Sequence, residues 1–390
     1  MNDLFIDIGF VSINKWGEPL CGDHVDLAKA EDGSTILVLA DGLGSGVKAN
    51  ILSTLTAKIL STMLAAGLPI EECVHTVVST LPVCAERGVA YSTFTVIRLT
   101  AYGDTELIQY DNPHVVLLSG GNSVDYAIEQ KSVGDKQLFC AKFRLKPDDV
   151  LLSFSDGALH ASKTIELNLE WDRDAITDYM EALYHSSYSA KELATLLVEQ
   201  CSDLYGGQPA DDTTACAVKL RKRQLVNLLF GPPSNPADDT RVLSLFFSKG
   251  GKHIVCGGTT AGITAKHLGK QVQVDTVSDT SDLPPALLID GVDVVTEGAL
   301  TMARMVEYAQ DYAKDNRLYH CWNNGSDGAA QIARLLLCEA SDVDLFVGRA
   351  DNAAYRSEES SLCFADKMRL AASLAEALKT GGKRVKIGYF

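Results

Sequence analysis

Basic residues are scarce in this chain. Lys and Arg number 35 against 51 Asp and Glu, which leaves a formal net charge of −16. That deficit argues against nonspecific nucleic-acid and anionic-membrane binders, which work through basic patches. It suits a protein that handles cations. Paired cysteines are missing as well. Ten cysteines are scattered with no CxxC and no clustering with histidine, so neither a zinc ribbon nor a dithiol redox motif is present. Cys216 and Cys256 sit inside apolar, strand-like runs, which reads as reduced core cysteine in a cytoplasmic protein. The first residues, MNDLFIDIGF, lack the basic segment that opens a signal peptide, so none is expected. No apolar run reaches membrane length. The most apolar long stretch, residues 51–67, is interrupted by Lys58. It places Leu52, Leu55, Ile59, Met63 and Leu64 at helical spacing and reads as an amphipathic core helix. Internal repeats and low-complexity tracts are absent too.

What remains is an ordinary globular composition over 390 residues, enough for two or three domains. Apolar and β-branched runs bounded by turn residues predict strands over 5–13, 35–40, 92–99, 106–110, 115–118, 137–143, 150–154 and 215–220. Helical patterns fall at 47–66, about 70–85, near 173–184 and at 190–205. Strands and helices here come in runs, the mark of an α+β architecture with helices outside packed sheets. The basic break "RKRQ", Arg221 to Gln224, ends this texture. Beyond it strands and helices alternate, which predicts a mostly parallel sheet in a three-layer α/β domain. The boundary is placed at about residue 222, giving domains 1–222 and 223–390.

Asp-Gly, the commonest turn dipeptide, occurs at 32, 41, 156, 290 and 327. Asp32-Gly33 reads as a hairpin turn. Asp41 and Asp156 differ, because "ILVLADG" and "VLLSFSDG" each end a buried apolar run on the aspartate. "PADDTTACAVKL" puts Asp211 and Asp212 just before another strand, and "CGDHVDL" puts Asp23 on a short loop near the start. Carboxylates gathered at the converging ends of core strands repel one another and raise each other's pKa. Divalent cations relieve that repulsion, and carboxylate and carbonyl oxygens are the ligands Mg²⁺ and Mn²⁺ prefer. A phosphate-cradling reading competes, since residues 44–49 fit G-x-G-x-x-A between a strand and a helix. That fingerprint expects a second strand ending in an acid about twenty residues on. Here the helix simply continues.

The ordered blocks "KWGEPLCGD", "LADGLGSGVKA", "LLSFSDGALHA" and "ADDTTACAV" resemble those of the metal-dependent protein phosphatase superfamily of type 2C, most closely its bacterial SpoIIE-like branch. "YDNPHVVLL" is weakly similar to that branch's Asn-Pro segment. The resemblance covers roughly residues 5–220. It implies a four-layer αββα sandwich with two Mn²⁺ or Mg²⁺ ions at one end. It further implies that Asp41 bridges the metals, that the Gly42 carbonyl binds one, and that Asp156 and Asp211 ligate from the opposite side. Asp23 would support a metal-bound water. The implied activity is hydrolysis of phosphoserine or phosphothreonine on a protein substrate by a metal-activated water. Leu43 stands where many eukaryotic members carry a histidine. Their phosphate-gripping arginine has no match here, and Lys15 is the substitute. His24 and His160, beside the metal aspartates, are read as structural. Thr213 and Thr214 are candidates to orient Asp211.

Residues 223–390 show no such resemblance. Their apparent strand ends carry Gly257-Gly258-Thr259-Thr260, Thr296-Glu297-Gly298 and Gly348-Arg349-Ala350-Asp351-Asn352. In open α/β sheets ligands bind beyond the carboxyl ends of strands, and helix starts favour anions. A small anionic ligand or an acidic partner segment is therefore expected at Gly257, Gly258, Thr259, Thr260, Glu297 and Arg349. The plain alternative is that these glycines only serve tight β–α turns. Two other readings of the whole stay open: a catalytically weak phosphatase-fold binding module, and a ligand-binding or enzymatic second domain regulated by the phosphatase half.

Overall fold

The computed structural model describes residues 3–81, 92–134, 136–164, 171–278, 282–350 and 364–390. The chain divides into two compact units, Met1–Lys222 and Arg223–Phe390.

In the first unit the elements run β1 (Leu4–Ile13), β2 (Asp23–Lys29), β3 (Thr35–Gly42), α1 (Gly46–Ala65), α2 (Ile70–Thr80), β4 (Ser92–Leu99), β5 (Asp104–Tyr110), β6 (Val116–Ser119), β7 (Asn122–Ser123), β8 (Glu129–Val133), β9 (Lys136–Arg144), β10 (Val150–Phe154), α3 (Asp156–Leu159), α4 (Arg173–Leu183), α5 (Ala190–Leu204) and β11 (Thr213–Lys222). They form two antiparallel sheets, β1-β11-β10-β6-β7 and β2-β3-β4-β5-β9-β8.

Side chains alternate across a strand, and β3 shows what that does here. Ile36, Val38 and Ala40 pack on α1 and α2 with Leu52, Leu60 and Val77. Leu37 and Leu39 point the other way, into a core shared with Leu151, Cys216 and Val218 of the facing sheet. That sheet turns Leu152, Phe154 and Ala217 onto α4 and α5. The layers are thus helices, sheet, sheet, helices: a four-layer αββα sandwich. Local sequence fixes the helix starts. Asp172 accepts from the first amides of α4, and Ser189 with Glu192 forms a capping box on α5.

The second unit runs β12 (Leu225–Phe230), α6 (Asp239–Phe247), β13 (Lys252–Cys256), α7 (Gly258–Leu268), β14 (Gln273–Val274), β15 (Leu287–Leu288), β16 (Val294–Thr296), α8 (Ala299–Tyr312), α9 (Tyr319–Asn323), α10 (Gly328–Ala333), β17 (Asp342–Val347), α11 (Phe364–Thr380) and β18 (Arg384–Tyr389). The sheet order is β14-β15-β16-β13-β12-β17-β18. From β16 to β18 every pairing is parallel, while β14 and β15 form an antiparallel edge. The chain winds outward from β12 through β13 to β16, then crosses to β17 and β18. The winding direction therefore reverses at β12. Leu229, Val255 and Val295 pack under α6 and α7.

The short strands β7 and β8 and the turn α3 add to the elements read from sequence, and two further differences concern β2 and α2. Asp23 lies not on a loop but at the start of β2, a strand that pairs along β3. The predicted helix over 70–85 ends at Thr80, and residues 82–85 lie outside the described set. Among the described residues no helix is long and apolar enough to cross a membrane, and every described cysteine is free.

Candidate metal centre

Alternation also places the carboxylates. Asp41 shares the parity of Leu37 and Leu39, so it continues the face that looks into the gap between the sheets. Asp23 pairs opposite Asp41 in the β2–β3 ladder and shares the parity of Val25, which packs against the same inter-sheet core. From the facing sheet, Ser155, Asp212 and Thr214 continue the inter-sheet parity of Leu151, Cys216 and Val218. The two sheets thus bring polar residues together just where their shared hydrophobic core ends.

The missing Cβ atoms at the two Asp-Gly steps make this convergence possible. A Cβ on Gly157 would lie 2.1 Å from the Asp212 carbonyl oxygen, so only glycine lets the start of β11 close over α3. A Cβ on Gly42 would lie 2.2 Å from the Ala49 carbonyl oxygen. The bare backbone after Asp41 is therefore demanded by the seating of α1 on the strand end.

The polar contacts are few and specific. Ser155 Oγ donates to Asp23 Oδ2 at 2.8 Å, and the Thr214 amide donates to Ser155 Oγ at 2.9 Å. The Lys15 amide donates to Asp212 Oδ1 at 3.0 Å, and the Asp212 amide donates to Asp211 Oδ1 at 3.0 Å. Asp23 Oδ1 and Asp212 Oδ2 are buried with no hydrogen-bond partner among the described residues. One ligand atom from each of Asp156, His160 and Asp211 lies within 4.8 Å of the others.

Electrostatics record the crowding. Burial, with Asp212 nearby, pushes the Asp23 carboxyl up to about 7. Burial and then the charges of Asp23 and Asp156 push Asp41 up to about 10. Asp211 is raised by burial and by Asp156, with Lys15 pulling the other way. Carboxylates held this far above their ordinary range call for positive charge.

The structure thus gathers Asp23, Asp41, Asp156 and Asp211, with Gly42 beside Asp41 and Lys15 at the rim. Two supporting roles come out differently from expectation. Thr213 Oγ1 donates to the Asp211 backbone carbonyl, and Thr214 Oγ1 donates to Ser12, so neither hydroxyl orients the Asp211 carboxylate. Ser155, which does hold an aspartate, carries no signal in the sequence, and His160, which reads there as structural, lies beside Asp156 and Asp211. The signal for His160 was its spacing, four residues after Asp156.

In the second unit the glycine loops share one edge, because β12, β13, β16 and β17 run parallel. The Gly257 amide donates to the Thr296 carbonyl at 2.9 Å, and Glu297 lies next to Gly258. Thr259 is exposed, whereas Thr260 is buried and does not present its hydroxyl to solvent. Arg349 stands at the tip of β17, three strand spacings from β16, or about 14 Å. Glu297 and Arg349 therefore follow strands on the same edge of one sheet, with β13 and β12 between them. Asp351 and Asn352 lie outside the described residues.

Sandwich and site together define a class: phosphatase domains of the PP2C type, built on αββα layers with acids at the sheet ends. Residues 31–221 match the family model described as Stage II sporulation protein E (SpoIIE). The first unit is a PP2C-like phosphatase domain of the SpoIIE branch. Stage II sporulation protein E of Priestia megaterium is 22% identical over 225 residues, covering 55% of this chain and 36% of that protein. Its counterpart in Bacillus subtilis (strain 168) is 23% identical over 220 residues, covering 55% of this chain and 26% of that protein. The chain therefore spans only about a third of the one and a quarter of the other. A solved structure of the PP2C phosphatase domain and a regulatory-domain fragment of SpoIIE from Bacillus subtilis is 21% identical, with a TM-score of 0.49, and covers 57% of this chain and 64% of that one.

Proposed function

We propose that the protein is a metal-dependent serine/threonine phosphoprotein phosphatase. The observation that carries this reading is the convergence of Asp23, Asp41, Asp156 and Asp211 from both sheets, with buried carboxylate oxygens left unpartnered. This donor set fits hard divalent cations such as Mn²⁺ or Mg²⁺. Asp41 is the acid between the two groups and would be shared by two ions, with Asp23 and the Gly42 carbonyl on one side and Asp156 and Asp211 on the other. Bound there, divalent metal supplies an activated water for attack on phosphorus and offsets charge on the phosphoryl oxygens.

The chain's own residues do the rest. Ser155, tied to the Thr214 amide, fixes the rotamer of Asp23. The Lys15 amide anchors Asp212, which leaves the Lys15 ammonium at the rim, where its charge already acts on Asp211. From that position it meets the phosphate of an incoming phosphoserine or phosphothreonine. The second unit is read as an accessory domain. Its reversal of strand order at β12 creates the kind of crevice where open α/β sheets hold ligands.

The test is hydrolysis of an aryl phosphate and of a phosphoserine peptide by the full chain with Mn²⁺. Activity should vanish on chelation. Asp41→Asn should lower kcat a hundredfold or more, about 3 kcal/mol in barrier. Full activity in Asp41→Asn, or activity indifferent to chelator, would dismiss the reading. A chain that binds Mn²⁺ but never turns over would instead favour the binding module.

A further inference from the structure

His160 stands where a metal ligand would stand. The helical turn α3 runs Asp156–Leu159, and His160 caps it with helical backbone angles (φ −94, ψ −1). Residues four apart on such a turn share a face, so the imidazole lies on the same side as the Asp156 carboxylate. Asp211 arrives from the start of β11, and one ligand atom of each residue lies within 4.8 Å of the others. Two ligands of one ion, at metal–ligand distances of about 2.0–2.2 Å, lie up to about 4.4 Å apart. A few tenths of an ångström of side-chain adjustment therefore suffices. Asp212, next to Asp211 in the chain, is buried with Oδ2 unpartnered and turned toward Gly22.

We infer that His160 is a nitrogen ligand of the ion held by Asp156 and Asp211, so that this position favours Mn²⁺ over Mg²⁺. The inference rests on the proposed metal centre and changes its chemistry. With carboxylates alone the ligand set is oxygen only, the set that suits Mg²⁺ and Mn²⁺ alike. Imidazole suits transition ions and gives little to Mg²⁺.

The experiment uses the full chain with Mn²⁺ alone and reads electron spin-echo envelope modulation, which detects nitrogen bonded directly to the ion. Wild type should show a directly bound imidazole nitrogen, and His160→Gln should lose it. In the same variant the Mn²⁺ dissociation constant should rise at least about tenfold, while that for Mg²⁺ stays within about twofold. His160→Asp should recover Mn²⁺ affinity without the nitrogen signal. Mn²⁺ bound by wild type without nitrogen coupling would overturn the role of His160 and leave the metal centre standing. An unchanged Mn²⁺ affinity in His160→Gln would do the same. Failure of wild type to bind Mn²⁺ at all would remove both.

Discussion

Asp41 carries two opposite effects, one on activity and one on stability. Its carboxyl is held up to about 10 in the folded chain, first by burial and then by Asp23 and Asp156, whereas an unfolded aspartate releases its proton near 3.9. Between those values the folded state binds the extra proton, so metal-free stability falls as pH rises. Asp41→Asn removes the penalty. The metal-free variant should therefore melt above metal-free wild type at pH 8, with the gap closing as pH falls toward 4. Added Mn²⁺ should raise the melting temperature of wild type and leave the variant nearly unmoved. Differential scanning calorimetry across that pH range decides it, and a variant less stable than wild type at pH 8 would show that Asp41 is not under electrostatic strain. At this scale much of the site was legible in the sequence, because an acid ending an apolar run has few plain explanations. Asp41 and Asp156 stood out for that reason, and Asp211 because it stands just before the strand that follows it. His160 did not, since its relation to Asp156 depends on a helical turn that follows directly on a strand. Ser155 did not either, because its partner, Asp23, lies 132 residues away.

At the level of elements, the site depends on close backbone approach. Gly157→Ala would place a methyl 2.1 Å from the Asp212 carbonyl oxygen. Backbone cannot swing aside as a long side chain can, so the start of β11 must retreat. Overpacking of this kind costs about 1–3 kcal/mol, and here it also draws Asp211 away from Asp156. A lower melting temperature with weakened Mn²⁺ binding is the expected pair of results in Gly157→Ala. Mn²⁺ affinity equal to wild type would mean that the approach of β11 does not assemble the site. The long buried strands were legible, because β3 and β10 are almost wholly apolar. The strand β2 was not. Its sequence, DHVDLAK, has only Val25, Leu27 and Ala28 as apolar residues among four charged or polar ones, as edge strands that must resist pairing tend to do. Asp26 is engaged instead by Lys58 and Ser61 of α1. Missing that strand put Asp23 on a loop, when the ladder in fact sets it opposite Asp41.

Across the whole molecule, all the metal-site acids and both sheets that hold them lie within Met1–Lys222. A fragment of residues 1–222 should therefore fold cooperatively and keep the basal Mn²⁺-dependent activity. A soluble but inert fragment beside an active full chain would mean that the second unit takes part in catalysis. The change of texture at RKRQ was visible in sequence because runs of like elements gave way to alternation. The strand order of the second unit was not visible. Its edge strands β14 and β15 are two residues each, too short for a periodic signal. The crossing from β16 to β17 leaves no local trace either. The reversal at β12, which sets β13 and β12 between Glu297 and Arg349, follows from topology alone.

The carboxylates at the sheet ends are proposed to form a binuclear metal site. Anomalous difference density at the manganese edge, from crystals of the full chain grown with Mn²⁺, tests it most directly. Two peaks are expected, both touching Asp41, one next to Gly42 and the other next to Asp156 and Asp211. Ordered side chains with no anomalous peak at Asp41, under Mn²⁺ in large excess, would contradict the account.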